Sequence, residues 1–170
     1  QNLIQIFKIS FNKNFYHSEE SHPFWELVYV DSGKINAISN GIGVSLSQGQ
    51  VIFHKPHEMH SHISNKIDPS NLLVVAFTCE SKAMDFFDGK IFTLGKSEKK
   101  ILSLFLDEAK NATKKLSGSF EDKTPIDFSE AAFGSIQLMG AMLEELLISL
   151  IRRSDENTFK IKPGRESKKI

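Results

Sequence analysis

Two groups of histidines and carboxylates punctuate this 170-residue chain, each beside a short apolar run. The first is Glu20, His22 and Glu26, at the entry to Trp25-Glu26-Leu27-Val28-Tyr29-Val30, with Gly33 closing the run. The second is His54, His57, His60 and His62, which follows Gly49 and surrounds Pro56. Imidazole and carboxylate side chains can orient a polar ligand, carry protons near neutral pH, or hold a divalent metal. Extended backbone alternates its side chains, so Glu20, His22, Phe24 and Glu26 share one face, opposite Trp25 and Tyr29, if the stretch stays extended. With Glu26 turned inward, Phe24 and Val28 follow it, and Trp25 faces helices or solvent. No catalytic residue is expected. The chain has no Gly-any-Ser-any-Gly elbow, nucleotide-binding glycine loop or paired cysteine motif.

The elements that must position these groups are mainly short strands. Residues 3 to 11 read as a first strand, and 12 to 21 as a loop with Phe15 and Tyr16 pinned against the body. Residues 26 to 30 read as a strand buried on both faces. Asp31-Ser32-Gly33 has hairpin-turn composition, 34 to 39 returns as a strand, and Asn40-Gly41 is a strong two-residue turn signal. Strands over 42–46, 51–54, 59–64 and 72–77 follow, with turns every eight to twelve residues. Pro56 closes one of them, because it donates no ladder hydrogen bond. A helical turn over 81–87 and a last strand over 89–94 complete a β unit spanning 1–95.

From Ser97 the period becomes helical, with Ile101, Leu104, Phe105, Ala109, Ala112 and Leu116 three or four residues apart and Gly118 as a stop. Asp127 with Glu130 resembles a capping box and predicts a second, long helix from there to about Arg153. Its Ile136, Met139, Leu143, Leu146 and Leu150 repeat at three-four spacing, the seam expected for dimerisation. Met142, Leu147, Ile148 and Ile151 widen the stripe, so that the helix can cover its own barrel and still offer a face to a second copy. The segment 96–153 is expected to be a helical packing and dimerisation segment. Residues 154–170 are polar and basic and read as a linker or tail.

Composition narrows the partners. Lys plus Arg equals Asp plus Glu at 21 each, so net charge offers no case for nucleic acid or an anionic membrane. Fourteen Phe point to a core or pocket built from rings without a polar handle. The single cysteine, Cys79, suits a reducing compartment. The most apolar long stretch, 136 to 151, is interrupted by Glu144 and Glu145. A soluble, cytoplasmic protein is expected.

On these residues the chain resembles a known family. His22, Glu26 and Gly33 are spaced like the second half of the first cupin motif, and Gly49, Phe53, Pro56 and His60 like the second. A cupin-like β-barrel (a double-stranded β-helix) followed by two helices, the second long and amphipathic, is similar to the N-terminal sensor domain of AraC-family transcriptional regulators. The sequence departs from the motif at Glu20, where the family places a histidine, and at Ser64, where it places an asparagine. The resemblance implies a bacterial effector-sensing and dimerising domain that binds a small polar molecule such as a sugar. His22, Glu26 and His60 would orient it against an apolar wall including Phe24 and Phe53. DNA would be read by a further unit beginning just after residue 165. The alternative is a metal-dependent cupin enzyme of dioxygenase or isomerase type, with His22, Glu26 and His60 as ligands and Glu20 or His62 as a fourth. A metal-free site is preferred, because AraC-type sensors often keep these positions without one. His54, His57 and His62 are read as solvated or hydrogen-bonded loop residues.

Overall fold

A computed structural model of the chain describes residues 2–67, 69–113, 127–153 and 158–161. Among the described residues, nine strands form two antiparallel sheets. They are β1 (Asn2–Phe11), β2 (Trp25–Ser32), β3 (Lys34–Ser39), β4 (Ile42–Ser47), β5 (Gln50–His54), β6 (His60–Ser64), β7 (Ser70–Thr78), β8 (Lys90–Thr93) and β9 (Thr158–Lys160). The larger sheet runs β1-β7-β2-β5-β8-β9 and the smaller β4-β3-β6. Two helices follow, α1 (Lys96–Ala112) and α2 (Ser135–Arg152), and a 3₁₀ turn occupies Lys82–Phe87. This is the expected mainly-β cupin-like barrel with two helices after it. Among the described residues no helix is long and apolar enough to cross a membrane.

Alternation in β2 makes the larger sheet two-faced. Val28 and Val30 turn toward the smaller sheet and pack with Ile35, Ala37, Leu46, Ile52, Leu72, Val74 and Ile91. Trp25, Leu27 and Tyr29 turn the other way and pack with Leu102, Phe105, Met139, Leu143 and Leu146 of the helices. Three layers result: small sheet, large sheet, helices. The central sheet is buried on both faces, which explains the near-unbroken apolar run that begins at Trp25.

Several boundaries differ from expectation. Asp31-Ser32-Gly33 is a corner between sheets, because β2 pairs with β5 and β7 while β3 pairs with β4 and β6. Gly33 is required there: its φ is +79°, and a Cβ would lie 2.5 Å from the Pro69 carbonyl oxygen. The Ser70 hydroxyl fastens the corner, accepting from the Lys34 N–H at 3.1 Å and donating to the Lys34 carbonyl at 2.7 Å. Asn40-Gly41 does form the β3–β4 hairpin turn, with φ of 47° and 78° at its two residues. Phe15 is pinned by stacking on Phe11 at 3.6 Å, whereas Tyr16 is exposed.

The helices are shorter than the sequence pattern suggests. α1 begins after Gly95, whose N–H donates to the Glu98 carboxylate at 2.9 Å, so Ser97 is not its cap. Leu102 is buried in place of the exposed Leu104. The expected stop at Gly118 lies outside the described residues. α2 starts at Ser135, not after Asp127. The Asp127 carboxylate instead accepts from the Ser129 N–H at 2.8 Å in a local turn, and Gly134, at φ +81°, admits the chain to the helix. Within 154–170, read as a linker, residues 158–160 form β9 and pair with β8.

The expected dimer seam is largely spent inside the chain. Met139, Leu143, Leu146 and Leu150 are buried against α1 and the large sheet, leaving only Ile136 of that set exposed. The same three-four periodicity serves a second helix or a sheet equally well, and here the chain's own sheet is the nearer partner.

Candidate functional site

The carboxylates and imidazoles meet at one end of the space between the two sheets. Glu26 is the second residue of β2, paired with His54 at the end of β5 and Ala76 of β7. His60 and His62 stand two apart on β6, opposite Ser39 and Ala37 of β3. The preceding segment crosses to β6 through reciprocal backbone hydrogen bonds between Glu20 and His60, of 2.9 and 3.0 Å. His57, at φ +65°, donates its N–H to the His22 carbonyl at 2.8 Å and ties the first motif to the second. Below lies an apolar floor that includes Val28, Ile52 and Val74.

At the mouth, one donor atom each of Glu20, His22, Glu26 and His60 lies within 4.8 Å of the others. The ring of His22 stacks on Phe24 at 3.9 Å. Its Nδ1–H donates to the Phe24 carbonyl at 2.9 Å, and its Nε2 faces Glu26 Oε2 at 3.3 Å. With acceptors at both nitrogens, the imidazolium form is favoured. Burial opposes the charge, but the Glu26 hydrogen bond and charge outweigh it, and the pKa of His22 rises above its usual value. Burial likewise acts to raise the pKa of Glu26. The hydrogen bond from His22, with the facing His62, His60 and His54, overrides it and holds the carboxyl at about 2.

His60 has the opposite balance. Its Nδ1–H donates to the Glu58 carbonyl at 2.9 Å, which leaves the lone pair of Nε2 pointing at Glu26 Oε1, 3.6 Å away, and Glu20 Oε1, 3.9 Å away. Burial, then the neighbouring His54, pushes its pKa down to about 4, so the ring is neutral at pH 7. Neither His60 Nε2 nor Glu26 Oε1 makes a hydrogen bond, although both atoms are buried. A basic lone pair facing two carboxylates is repulsive unless a proton or cation lies between them. Two imidazoles and two carboxylates also form a suitable donor set for Zn(II), Fe(II), Mn(II) or Ni(II). The residues therefore fit a divalent cation at the mouth.

Two expectations are corrected deeper in. Phe53 does not line the space beside Glu26. It pairs with Leu27 and points to the helical side, its ring 4.4 Å from that of Phe87. The lumen-facing partner of Glu26 is His54, one residue along, and a one-residue offset moves a side chain to the other face. His54 and His62 are hydrogen-bonded, as one half of the expectation had it, but they are neither solvated nor on loops, since both are fully buried on strands, whereas His57 is exposed.

The Nδ1–H of His54 donates to Glu58 Oε1 at 2.8 Å, and its Nε2 lies 3.1 Å from His62 Nε2. Glu58 is held by the Ser39 hydroxyl at 2.5 Å and the Lys55 N–H at 3.2 Å. Burial opposes ionisation of Glu58, but the His54 hydrogen bond and charge prevail and lower its pKa. Burial, reinforced by His54, drives the pKa of His62 well below its usual value. Sequence reading missed Ser39, His54, Glu58 and His62 as a set. The signal was the antiparallel pairing of Glu26 with His54, which alternation within a single strand cannot supply.

Residues 5–83 match the AraC-like ligand binding domain family. Solved structures similar to this chain include a cupin superfamily protein from Desulfitobacterium hafniense DCB-2, 18% identical, covering 46% of this chain and 71% of that one with a TM-score of 0.42. A conserved protein of unknown function from Streptococcus pyogenes is 22% identical over 48% of this chain and 68% of its own, with a TM-score of 0.41. The salicylate 1,2-dioxygenase from Pseudaminobacter salicylatoxidans is 16% identical over 44% of this chain, with a TM-score of 0.42, and the match spans 22% of that enzyme. No curated protein matches.

Proposed function

We propose that this chain, whose residues 5–83 match the AraC-like ligand binding domain family, is the effector-sensing part of a transcription regulator and takes a small polar molecule at the mouth of its barrel. The observation that supports this most directly is the convergence of Glu20, His22, Glu26 and His60 at one end of the barrel, inside the family segment. Glu26 Oε1 and His60 Nε2, buried polar atoms without a hydrogen-bond partner, stand beside an aromatic wall formed by Phe24 and the His22 ring that Glu26 holds, an arrangement able to orient a hydroxylated guest. The response is a population shift: an effector with different affinity for two arrangements of barrel and helices changes their ratio. In this reading DNA is contacted through a separate unit, and a second copy docks on the outward side of α2, where Leu138 and Ile148 are exposed.

The test is a thermal-shift screen with monosaccharides and small hydroxy acids. At about a hundred times Kd a true effector adds about 2.7 kcal/mol of stability. The double variant His22→Ala/Glu26→Gln should stay folded and lose that gain. If the same compound stabilises the variant equally, these residues are not its site.

One observation favours a second reading, a metal-dependent cupin enzyme: the lone pair of His60 faces two carboxylates. Glu20, His22, Glu26 and His60 would hold the ion, which would supply Lewis-acid or redox chemistry. Elemental analysis of protein purified without added metal decides it, since a stoichiometric ion lost in His60→Gln supports the enzyme.

A further inference from the structure

Beneath the mouth, Glu26, His54 and His62 form another convergent set, with one donor atom of each within 4.8 Å of the others. All three side chains are nine-tenths or more buried, at 3%, 0% and 0% exposure. We propose that these three residues bind a divalent transition-metal ion of the Zn(II) or Fe(II) class, at a site deeper than the four-residue set at the mouth and separate from it except for the shared carboxylate. The proposal does not depend on the effector reading, because it requires no small molecule.

The first support is geometric. Two imidazole nitrogens bound to one ion at ~2.0–2.1 Å lie roughly 2.9 Å apart in octahedral and 3.4 Å apart in tetrahedral coordination. The His54 and His62 Nε2 atoms share a hydrogen bond of 3.1 Å, a separation that also falls within that interval, so an ion would replace the proton between them. Two histidines and one carboxylate with open positions are a recurrent ligand set for such metals.

The second support is the surrounding shell. A metal-ligating histidine characteristically donates its other ring N–H to a carboxylate, which fixes the tautomer and makes the ligating nitrogen more basic. His54 does this, donating Nδ1–H to Glu58, and Glu58 is itself held by Ser39 and the Lys55 N–H. A buried carboxylate anchored from three sides positions one imidazole more rigidly than packing alone requires. The third support is that Glu26, the carboxylate shared by the two sets, keeps one buried oxygen, Oε1, without a hydrogen-bond donor, the same oxygen that faces His60 Nε2 at 3.6 Å.

The experiment uses the full 170-residue chain, stripped by a chelator and titrated with Co(II), whose d–d absorption reports coordination, then with Zn(II) in competition. The expected result is a saturable ion that survives Glu20→Gln/His22→Gln with little change in affinity. It should be lost in His54→Gln and in His62→Gln, and weakened about tenfold to hundredfold by the positioning change Glu58→Gln. Circular dichroism of the stripped variants establishes folding. Should His54→Gln or His62→Gln fail to fold, wild-type imidazole ¹⁵N shifts decide, since Zn(II) must move the Nε2 signals of His54 and His62. Absence of saturable binding overturns the proposal. So does an ion lost with Glu20 and His22 yet retained without His54 and His62.

Discussion

Glu98 is the place where the barrel, α1 and α2 are joined by polar contacts, and its replacement by Gln has a calculable cost. The carboxylate is only 2% exposed. Oε2 accepts from the Gly95 N–H at 2.9 Å, while Oε1 accepts from the Ser149 hydroxyl at 2.7 Å and lies 3.1 Å from Arg153 Nε. Arg153 also donates to the Thr93 carbonyl at the end of β8, at 2.7 Å. Glutamine offers one oxygen where glutamate offers two. If its carbonyl serves Gly95, its amide faces Arg153, donor against donor; in the flipped orientation Gly95 loses its acceptor. An orphaned buried donor costs about 1–3 kcal/mol. The lost charge pairing adds at most about 1 kcal/mol, because Arg153 is partly open to solvent.

Glu98→Gln should therefore destabilise by about 2–3 kcal/mol at pH 7, or roughly 5–10 °C in Tm for a domain of this size. The deficit should also depend on pH. Burial acts to raise the pKa of Glu98, but the Ser149 hydrogen bond, with Arg153 and Gly95, holds it below its ordinary value of 4.5. A carboxyl whose folded pKa is lowered contributes stability that is complete above its unfolded pKa and lost as pH falls through the folded one. The gap between wild type and variant should therefore be constant near neutrality and shrink below about pH 4.5. Urea unfolding of both proteins at several pH values measures it. A deficit under 0.5 kcal/mol at pH 7, or one that does not shrink in acid, would refute the reasoning.

Gly33→Ala should cost about 3 kcal/mol, combining a left-handed backbone penalty of roughly 1–2 kcal/mol with collision against the Pro69 carbonyl. A loss under 1 kcal/mol in denaturant unfolding would show that the corner relaxes. Leu143→Asp should impair folding itself, since even Leu→Ala at a buried site costs about 2–5 kcal/mol. Ile148→Asp, on the exposed side of α2, should change stability by no more than about 0.5 kcal/mol and shift any dimer toward monomer in sedimentation. A stable monomer from Leu143→Asp would restore the original seam as the interface.

Local pattern determined a good deal of this protein. Period-two alternation around Glu26, the positive-φ turn at Asn40-Gly41, the proline after β5 and the change to helical period near residue 97 are each written in neighbouring residues. The same pattern placed His22, Phe24 and Glu26 on one face, apart from Trp25 and Tyr29. It could not decide which strands become neighbours. Pairing β2 with β5 and β7 made Asp31–Gly33 a corner, put His54 rather than Phe53 beside Glu26, and enclosed His62. Nor could periodicity decide whether the leucines of α2 would meet a second chain or their own sheet. Alternation is set by bond geometry within a few residues, whereas strand pairing and helix docking are set by which apolar faces meet across distant segments. Tertiary structure alone decided those, and with them how many imidazoles surround the buried carboxylate.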